Sequence, residues 1–352
     1  GDEFIAALYD LENQEDAARV AERVLAAVSE PVRLDEHEVS VTASLGISIY
    51  PYDGHDVETL MKHADAAMYQ AKEAGRNSFF FYDRAMNASM LNRLAIEARL
   101  HKALENGSLS LHYQPLISMH DSAVQGVEAL LRWNDPELGP VPPESFIPIA
   151  EDTGLILPIG EWVLRTACAQ ARAWLDAGIP VGRIAVNISG RQFRDRDLVA
   201  RVSAALAAAR LEPRYLELEL TESVVMQDAL HTRRTLAALK AMGVHLSIDD
   251  FGTGYSSLSY LRSFPIDTLK IDRSFVRDIA SDADTEAIVS AIIAMARSLK
   301  LGVVGEGVET EAQRAFLLAH GCKRVQGFLY CEPLPPTELE RWLRAQAARV
   351  AL

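Results

Sequence analysis

Three short segments decide the fold, and in each of them apolar and polar residues alternate: YLELEL at residues 215–220, HLSID at residues 245–249 and TLKI at residues 268–271. Each has the length and composition of a strand, and helical or turn sequence separates it from the next. Each also carries a charged residue near its end, namely Glu219, Asp249 and Lys270. Strands that alternate with helices in this way are typical of an α/β protein with a parallel sheet.

The alternation continues on both sides of these segments, over about 260 residues. We expect eight strands, at residues 110–114, 126–133, 183–188, 215–220, 245–249, 268–271, 303–306 and 324–328. Helical periodicity lies between most of them, at residues 161–177, 195–210, 227–242, 283–299 and 311–320. This count predicts a (β/α)8 barrel of the TIM type. About eleven residues separate the first two strands, which is short for a parallel crossover, so we expect an irregular barrel with an antiparallel first strand pair.

The chain before the barrel has the pattern of a smaller α+β segment. We expect helices at residues 15–29 and 57–74, with Gly75 at the end of the second, strands at residues 39–50 and 77–82, and a turn at residues 51–54. A further helical pattern at residues 83–106 joins this segment to the barrel. The predicted organisation is therefore a partial domain at residues 1–82, a connecting helix at residues 83–106 and the barrel at residues 107–352.

Bulk properties restrict the class of protein and its partners. The chain has 352 residues, of which 49% are hydrophobic and 24% charged, as in an ordinary globular protein. Its formal net charge of −14 argues against a nucleic-acid polymer as partner. Its three cysteines have no metal-binding spacing, its first residues are acidic rather than basic, and we find no apolar run of about 18 residues. We expect a cytoplasmic chain, whose longer parent protein can still be membrane-anchored.

Polar side chains lie at or near the ends of seven predicted strands. They are Glu128, Asn187, Glu219, Asp249, Asp250, Lys270, Glu306 and Gln326. Barrel enzymes place their chemistry at the carboxyl ends of their strands. The five carboxylates and one lysine carry a net charge of −4, which a barrel mouth cannot hold without compensation.

Two divalent cations would balance that charge. Oxygen ligands favour Mg²⁺ or Mn²⁺ over Zn²⁺, and two such ions about 4 Å apart can activate water and hold a phosphate. The reaction class that follows is phosphodiester hydrolysis. Each residue alone has a plainer interpretation: residues 249–252 can form a turn, and residues 187–189 fit a glycosylation pattern. Lys270 is different, because a lysine inside an apolar strand is costly unless it is paired.

The sequence around these residues resembles the EAL-domain family of cyclic di-GMP (c-di-GMP) phosphodiesterases over about residues 92–350. The motifs that carry the resemblance are EALLRW at 128–133, FIPIAE at 146–151, NIS at 187–189, ELTES at 219–223, DDFGTG at 249–254, KID at 270–272, EGVE at 306–309 and QGF at 326–328. The resemblance implies hydrolysis of c-di-GMP to the linear dinucleotide pGpG in bacterial signalling.

The resemblance also implies a metal-binding role for six residues. Four of them are ligands of a first metal ion: Glu128, Asn187, Glu219 and Asp249. Asp249 would bridge to a second ion that Asp250 also holds, with Glu306 beside it as a ligand and candidate general base. The implied cofactors are two Mg²⁺ or Mn²⁺ ions, and Ca²⁺ is expected to inhibit.

Four further roles follow from the same resemblance. Lys270 would orient or polarise the attacking water, and Gln326 would lie at the pocket edge and hold water or Glu306. Arg132 would contact a substrate phosphate. Glu222 would anchor the loop at residues 250–257, which couples metal binding to formation of a homodimer. The group that activates water stays open between Lys270, Glu306 and the metal ions.

Residues 1–82 resemble the C-terminal half of a GGDEF, or diguanylate cyclase, domain. The matching stretches are GDEF at 1–4, TASLGI at 42–47, ADAAMY at 64–69 and GRN at 75–77. The resemblance assigns metal binding to Asp2 or Glu3 and triphosphate contacts to Lys72 and Arg76. Because the upstream half lies outside this sequence, we expect a vestigial cyclase site that does not bind GTP. The start of the sequence is expected to be a boundary within a longer sensor protein.

The sequence leaves three functions open. The first is an active c-di-GMP phosphodiesterase, which the retained motif residues favour. The second is an inactive receptor domain that binds c-di-GMP without hydrolysing it. The third is a diguanylate cyclase, which would belong to a longer parent protein.

Overall fold

A computed structural model describes residues 3–9, 11, 14–34, 37–39, 41–179, 181–226, 228–253, 258–279 and 281–350. It divides the chain into two compact units, Gly1–Ala98 and Arg99–Leu352. The boundary falls within a long helix.

The first unit contains short strands and two helices, followed by most of a third helix. In chain order they are α1 (Gln14–Ser29), β1 (Val32–Leu34), β2 (His37–Val39), β3 (Leu45–Ile47), α2 (Val57–Glu73), β4 (Phe79–Phe81) and α3 (Arg84–Ala103), the last of which continues into the second unit. β1 pairs with β2 in antiparallel orientation, and β3 pairs with β4 in parallel orientation. The strand predicted at residues 39–50 is wrong as a single element, because only residues 45–47 form strand β3 and Val39 ends β2.

The described residues of the second unit form nine strands, all in one sheet. They are β5 (Leu109–Ser118), β6 (Val124–Asp135), β7 (Gly139–Val141), β8 (Arg183–Ile188), β9 (Leu216–Thr221), β10 (His245–Phe251), β11 (Thr268–Ile271), β12 (Gly302–Gly305) and β13 (Arg324–Val325). Their order is β5-β13-β12-β11-β10-β9-β8-β6-β7, and β5 also pairs with β6. That last pairing closes eight strands into a barrel, with β7 as a hairpin extension of β6.

Helices surround this barrel. They are α4 (Pro143–Thr153), α5 (Ile156–Asp176), α6 (Gly190–Phe193), α7 (Leu198–Ala209), α8 (Glu222–Met226), α9 (Ala229–Ala241), α10 (Leu258–Ser263), α11 (Arg273–Asp278), α12 (Ala283–Ser298), α13 (Glu311–Ala319) and α14 (Pro336–Val350). A short 3₁₀ turn at Pro213–Tyr215 precedes β9.

The barrel is irregular where the sequence predicted. β5 runs antiparallel to both of its neighbours, β6 and β13, whereas the other neighbouring strands of the closed barrel are parallel. The short connection between β5 and β6 allows a hairpin but not a parallel crossover. The irregular (β/α)8 barrel is therefore confirmed.

The alternation of side chains along each strand separates the core from the site. In β9, Leu216, Leu218 and Leu220 are buried on one face, and Glu217 and Glu219 are buried on the other. Successive side chains in a strand point to opposite faces, so the leucines pack under the helices and the glutamates point into the barrel. The barrel interior is therefore polar.

The three cysteines lie inside the protein. Cys168, Cys322 and Cys331 are free and buried, and burial raises the pKa of Cys168 to about 12 and those of the other two to about 11. Such thiols are unreactive.

Within the described ranges, the helices are all too short or too polar to cross a bilayer.

Candidate functional site

The predicted polar side chains lie together at one mouth of the barrel. Asn187, Glu219 and Lys270 lie within strands β8, β9 and β11, and Asp249 with Asp250 near the end of β10. Glu306 follows the last residue of β12, and Gln326 follows the last residue of β13. Because these strands are parallel, their carboxyl ends meet at one rim, as in other barrel enzymes.

Lys270 lies at the centre of the cluster and is almost fully buried. Its Nζ atom lies 2.7 Å from a carboxylate oxygen of Glu219 and 2.7 Å from one of Glu306. It lies 3.2 Å from Asp249 Oδ1 and 3.5 Å from Glu128 Oε2. One ammonium group therefore faces four carboxylates, which explains how a lysine is tolerated inside an apolar strand.

Two amide side chains hold Glu128 in place. Asn187 Nδ2 donates to Glu128 Oε1 at 2.7 Å, and Gln326 Nε2 donates to Glu128 Oε2 at 2.7 Å. Gln326 also donates to Gln114 Oε1 at 2.9 Å, while Gln114 Nε2 donates to the Cys331 carbonyl at 3.0 Å. Gln114 is a buried residue of β5 that the sequence analysis missed. Its polar side chain inside a predicted strand was the signal that could have found it.

The carboxylates form two overlapping groups. Ligand oxygens of Glu128, Glu219 and Asp249 lie within 4.8 Å of one another, and so do those of Asp249, Asp250 and Glu306. Asp249 belongs to both groups. All these ligand atoms are carboxylate oxygens, the donors that Mg²⁺ and Mn²⁺ prefer.

One atom of this cluster tests directly whether the residues fit a cation. Asp249 Oδ1 is a buried oxygen for which the described residues provide no hydrogen-bond donor. Lys270 Nζ is 3.2 Å away, but its approach does not have the geometry of a hydrogen bond. A buried carboxylate oxygen without a donor is costly. Asp249 belongs to both carboxylate groups, so a metal ion bound to this oxygen would satisfy it.

The electrostatics of the cluster show a surplus of negative charge. Burial alone would raise the pKa of Glu128, but Lys270 and two amides hold it below its ordinary value. Burial and neighbouring carboxylates raise the pKa values of Glu219 and Glu306 well above the ordinary range, even beside Lys270. Burial would lower the pKa of Lys270, but the carboxylates raise it well above its ordinary value. One ammonium therefore does not neutralise the cluster.

Asp250 has an unusual backbone conformation and environment. Its φ of 53° lies in the left-handed region, and the pairing of β10 with β11 is irregular between Ile248 and Phe251. Burial, and then the charge of Asp249, raise the pKa of Asp250 to about 6. Asp272, in the KID motif, caps α11 and is another neighbour of Asp250, although no pattern in the sequence indicated a place for it in the site.

The predicted loop anchor makes one clear contact. Glu222 is buried at the start of α8, and its Oε2 atom accepts a hydrogen bond of 2.9 Å from the Gly252 backbone N–H. The contact joins the end of β9 to the loop that follows β10. Residues 254–257 of this loop lie outside the described residues.

Arg132 is a partly buried residue of β6, four positions after Glu128. Its Nη1 atom donates to the Leu131 carbonyl at 2.9 Å. Burial lowers the pKa of its guanidinium, against the opposing charges of Glu144 and Glu128. Arg132 therefore places a positive charge near Glu128, at the same mouth of the barrel as the carboxylates. It is not one of the groups that contact Lys270.

The predicted cyclase residues are only partly brought together. Lys72 Nζ lies 3.8 Å from Glu3 Oε1 in an exposed pair, which contributes little to stability. Arg76 follows α2 with a φ of 62°. Asp2 lies outside the described residues.

The model of the EAL domain family matches residues 97–333, and that of the diguanylate cyclase, GGDEF domain matches residues 1–78. The chain belongs to the EAL domain family.

Several relatives match almost the whole chain. The bifunctional diguanylate cyclase/cyclic di-GMP phosphodiesterase MucR of Pseudomonas aeruginosa is 50% identical over 339 residues, which are 96% of this chain and 49% of MucR. The cyclic di-GMP phosphodiesterase PdeR of Escherichia coli is 40% identical over 349 residues, which are 99% of this chain and 52% of PdeR. The chain thus spans about half the length of these relatives.

A solved structure matches the barrel. The PaMucR phosphodiesterase in complex with c-di-GMP has a TM-score of 0.68 and 52% sequence identity, over 70% of this chain and 99% of that one.

Proposed function

We propose that this chain hydrolyses c-di-GMP to linear pGpG in bacterial second-messenger signalling, with two divalent cations bound at the carboxyl ends of the barrel strands. The observation that carries the proposal is the pair of carboxylate groups that share Asp249. One shared ligand between two oxygen-rich groups is the arrangement that a two-metal phosphodiesterase needs. MucR and PdeR are both named for c-di-GMP hydrolysis, which supports the choice of substrate.

Six residues would hold the ions, which we propose to be Mg²⁺ or Mn²⁺: Glu128, Asn187, Glu219, Asp249, Asp250 and Glu306. When bound, the ions would lower the pKa of water and offset the negative charge of the phosphodiester. Hydrolysis joins the water oxygen to phosphorus and breaks the bond from phosphorus to the 3′ oxygen. That oxygen takes up a proton, so pGpG has a 5′ phosphate and a free 3′ hydroxyl.

The surroundings of Lys270 favour a positioning role for it. The four carboxylates near its Nζ atom keep it protonated, so it donates hydrogen bonds but does not accept a proton. The proton from water would then go to a carboxylate. Glu306 is our choice, because it contacts Lys270 at 2.7 Å and its pKa is raised by burial.

Two other residues would act on the substrate side of the site. Arg132 would contact one phosphate of c-di-GMP, where its charge offsets part of the charge of the dinucleotide. Gln326 would hold Glu128 and the edge of the pocket. Glu222 would fix the loop after β10 through Gly252, and through that loop couple the site to a homodimer formed by the barrel.

The experiment that tests the proposal is a c-di-GMP hydrolysis assay on the 352-residue chain with Mg²⁺ or Mn²⁺, with a chelator as control. We expect c-di-GMP to be consumed and pGpG to accumulate in equal amounts, and only with the metal. Tight binding of c-di-GMP without pGpG would instead identify a receptor domain. Conversion of GTP to c-di-GMP would show an active cyclase, which we do not expect from residues 1–78.

Replacing Mg²⁺ with Ca²⁺ is expected to leave little activity. Ca²⁺ is larger and accepts six to eight oxygen ligands in flexible geometry, so it can bind the carboxylates without holding water and phosphate in line. Adding Ca²⁺ to the Mg²⁺ enzyme should therefore inhibit, and excess Mg²⁺ should restore the rate. A rate with Ca²⁺ equal to that with Mg²⁺ would contradict a tight two-metal geometry.

A further inference from the structure

The opposite mouth of the barrel, formed by the amino ends of its strands, carries a group of cations beside the carboxylates Glu217 and Asp267. Arg183 begins β8 and Arg324 begins β13, Lys323 precedes Arg324, and Arg297 lies in the last turn of α12. The whole chain carries a formal charge of −14, so a group of four cations at one end of the barrel stands out. A concentration of one sign of charge in a concave surface attracts ligands of the other sign.

A cavity of about 420 Å³ opens among these residues. Three cations line it, Arg297, Lys323 and Arg324, together with three apolar side chains, Ile293, Leu301 and Val303. Among the described residues that line the cavity there is no carboxylate. Ligand sites generally combine an apolar wall with a few polar groups that fix orientation, and this cavity has both.

Two glycines make room for the guanidinium groups. A Cβ atom on Gly302 would lie 2.1 Å from Arg324 Nη2, and one on Gly321 would lie 2.1 Å from Arg297 Nη2. The guanidinium groups are also held by neighbours, since Arg324 Nη2 donates to Thr268 Oγ1 at 3.2 Å and Arg297 Nη2 donates to the His320 carbonyl at 3.0 Å. Both arginines are therefore positioned before any ligand binds, which lowers the entropic cost of binding.

The cations lack a nearby counter-charge. Within the part of the chain that the structure describes, no carboxylate oxygen lies within 4.0 Å of Arg297, Lys323 or Arg324. Glu217, whose charge acts on Arg324, accepts a hydrogen bond from Ser247 and lies 3.8 Å from Arg183. Burial lowers the pKa of Arg324, although the charge of Glu217 opposes this shift.

We propose that this cavity is a second ligand site, which binds a small organic phosphate. Arg297, Lys323 and Arg324 would hold the phosphate group, and Ile293, Leu301 and Val303 would pack against the carbon skeleton. The site does not depend on the proposed hydrolysis, because it lies at the other end of the strands. Its chemistry also differs, because the carboxylate mouth repels an anion in the absence of metal ions.

That difference makes the site testable in chelated protein. Calorimetric titration of the full chain in a chelator with adenosine 5′-monophosphate is expected to show binding, whereas uncharged adenosine is expected to show none. Inorganic pyrophosphate is a second probe, and it should bind less tightly than the nucleotide because it cannot use the apolar wall. No binding of the nucleotide, equal binding of adenosine, or tighter binding of pyrophosphate would each overturn the proposal.

The variant that locates the site is Arg297→Gln with Lys323→Gln, since both side chains are exposed. Loss of two charge-assisted contacts is expected to weaken nucleotide binding at least about tenfold. The matched control is Lys102→Gln with Arg344→Gln, which removes the same charge elsewhere and should leave binding within about twofold. Unchanged melting temperatures would show that both variants fold. Wild-type affinity in the first variant, or equal losses in both, would contradict this location.

Discussion

Replacing Glu128 with alanine is expected to abolish hydrolysis of c-di-GMP, with a loss in kcat on the order of 1000-fold. Glu128 belongs to one of the two carboxylate groups, and its oxygens accept hydrogen bonds from Asn187 and Gln326. The substitution removes a metal ligand and leaves two buried amides without their acceptor. The transition state would lose several kcal/mol of stabilisation by the metal ion. About 1.4 kcal/mol of activation free energy corresponds to a factor of ten in rate.

The measurement is the initial rate of pGpG formation at saturating Mg²⁺, together with the amount of Mn²⁺ that the chelated protein takes up. Glu128→Gln should lose activity almost as fully while keeping the shape of the side chain. Glu338→Ala is the control, because it removes an exposed carboxylate of α14 that belongs to neither carboxylate group. A rate near that of the wild type in Glu128→Ala would show that the metal assignment is wrong.

Replacing Lys270 with methionine is expected to destabilise the metal-free protein by about 3–5 kcal/mol, the cost of breaking a buried ion pair. Methionine keeps much of the length and removes the ammonium that faces Glu128, Glu219, Asp249 and Glu306. The carboxylates then repel one another without compensation. Turnover should fall on the order of 100-fold even with metal bound, since the group that orients water is lost.

The sign of the pH dependence follows from the same charges. Without Lys270, the folded-state pKa values of Glu219 and Glu306, already raised by burial, move further above those of the unfolded chain, so protonation of these two groups favours the folded state. The loss of stability in Lys270→Met should therefore be small near pH 5 and should grow as the pH rises to 8. Chemical denaturation with a chelator measures it, and Mn²⁺ should restore part of the loss.

Lys240→Met is the matched control. Lys240 forms one ion pair, with Asp267, and is partly exposed, so its loss should cost about 1 kcal/mol or less. Equal losses in the two variants at pH 8, or a Lys270→Met loss that does not change with pH, would contradict the charge distribution described here.

The barrel and its mouth were predictable because they depend on patterns within single strands. The strands at residues 183–188 and 268–271 were predicted to the residue, and that at residues 215–220 began one residue too early. Short apolar runs identify buried parallel strands, and a charged residue inside such a run identifies the inner face. Lys270 showed this most clearly, since a buried lysine requires carboxylates around it.

Other features depend on contacts between distant segments. Gln114 holds Gln326 across 212 positions of sequence, and nothing in the sequence near Gln114 indicates that contact. The strand predicted at residues 39–50 failed because β-branched composition does not show where a strand stops pairing. The cavity lined by Arg297, Lys323 and Arg324 was missed because its members come from a helix end and a strand start, which periodicity does not connect.

The number of Mn²⁺ ions that each chain needs for turnover directly tests the proposed two-metal site. Chelated protein should be titrated with Mn²⁺ in the presence of c-di-GMP, and bound metal and pGpG should be measured in the same samples. Two ions per chain are predicted, with activity rising as the second one binds. Full activity with one ion per chain, or with none, would contradict a two-metal site that shares Asp249.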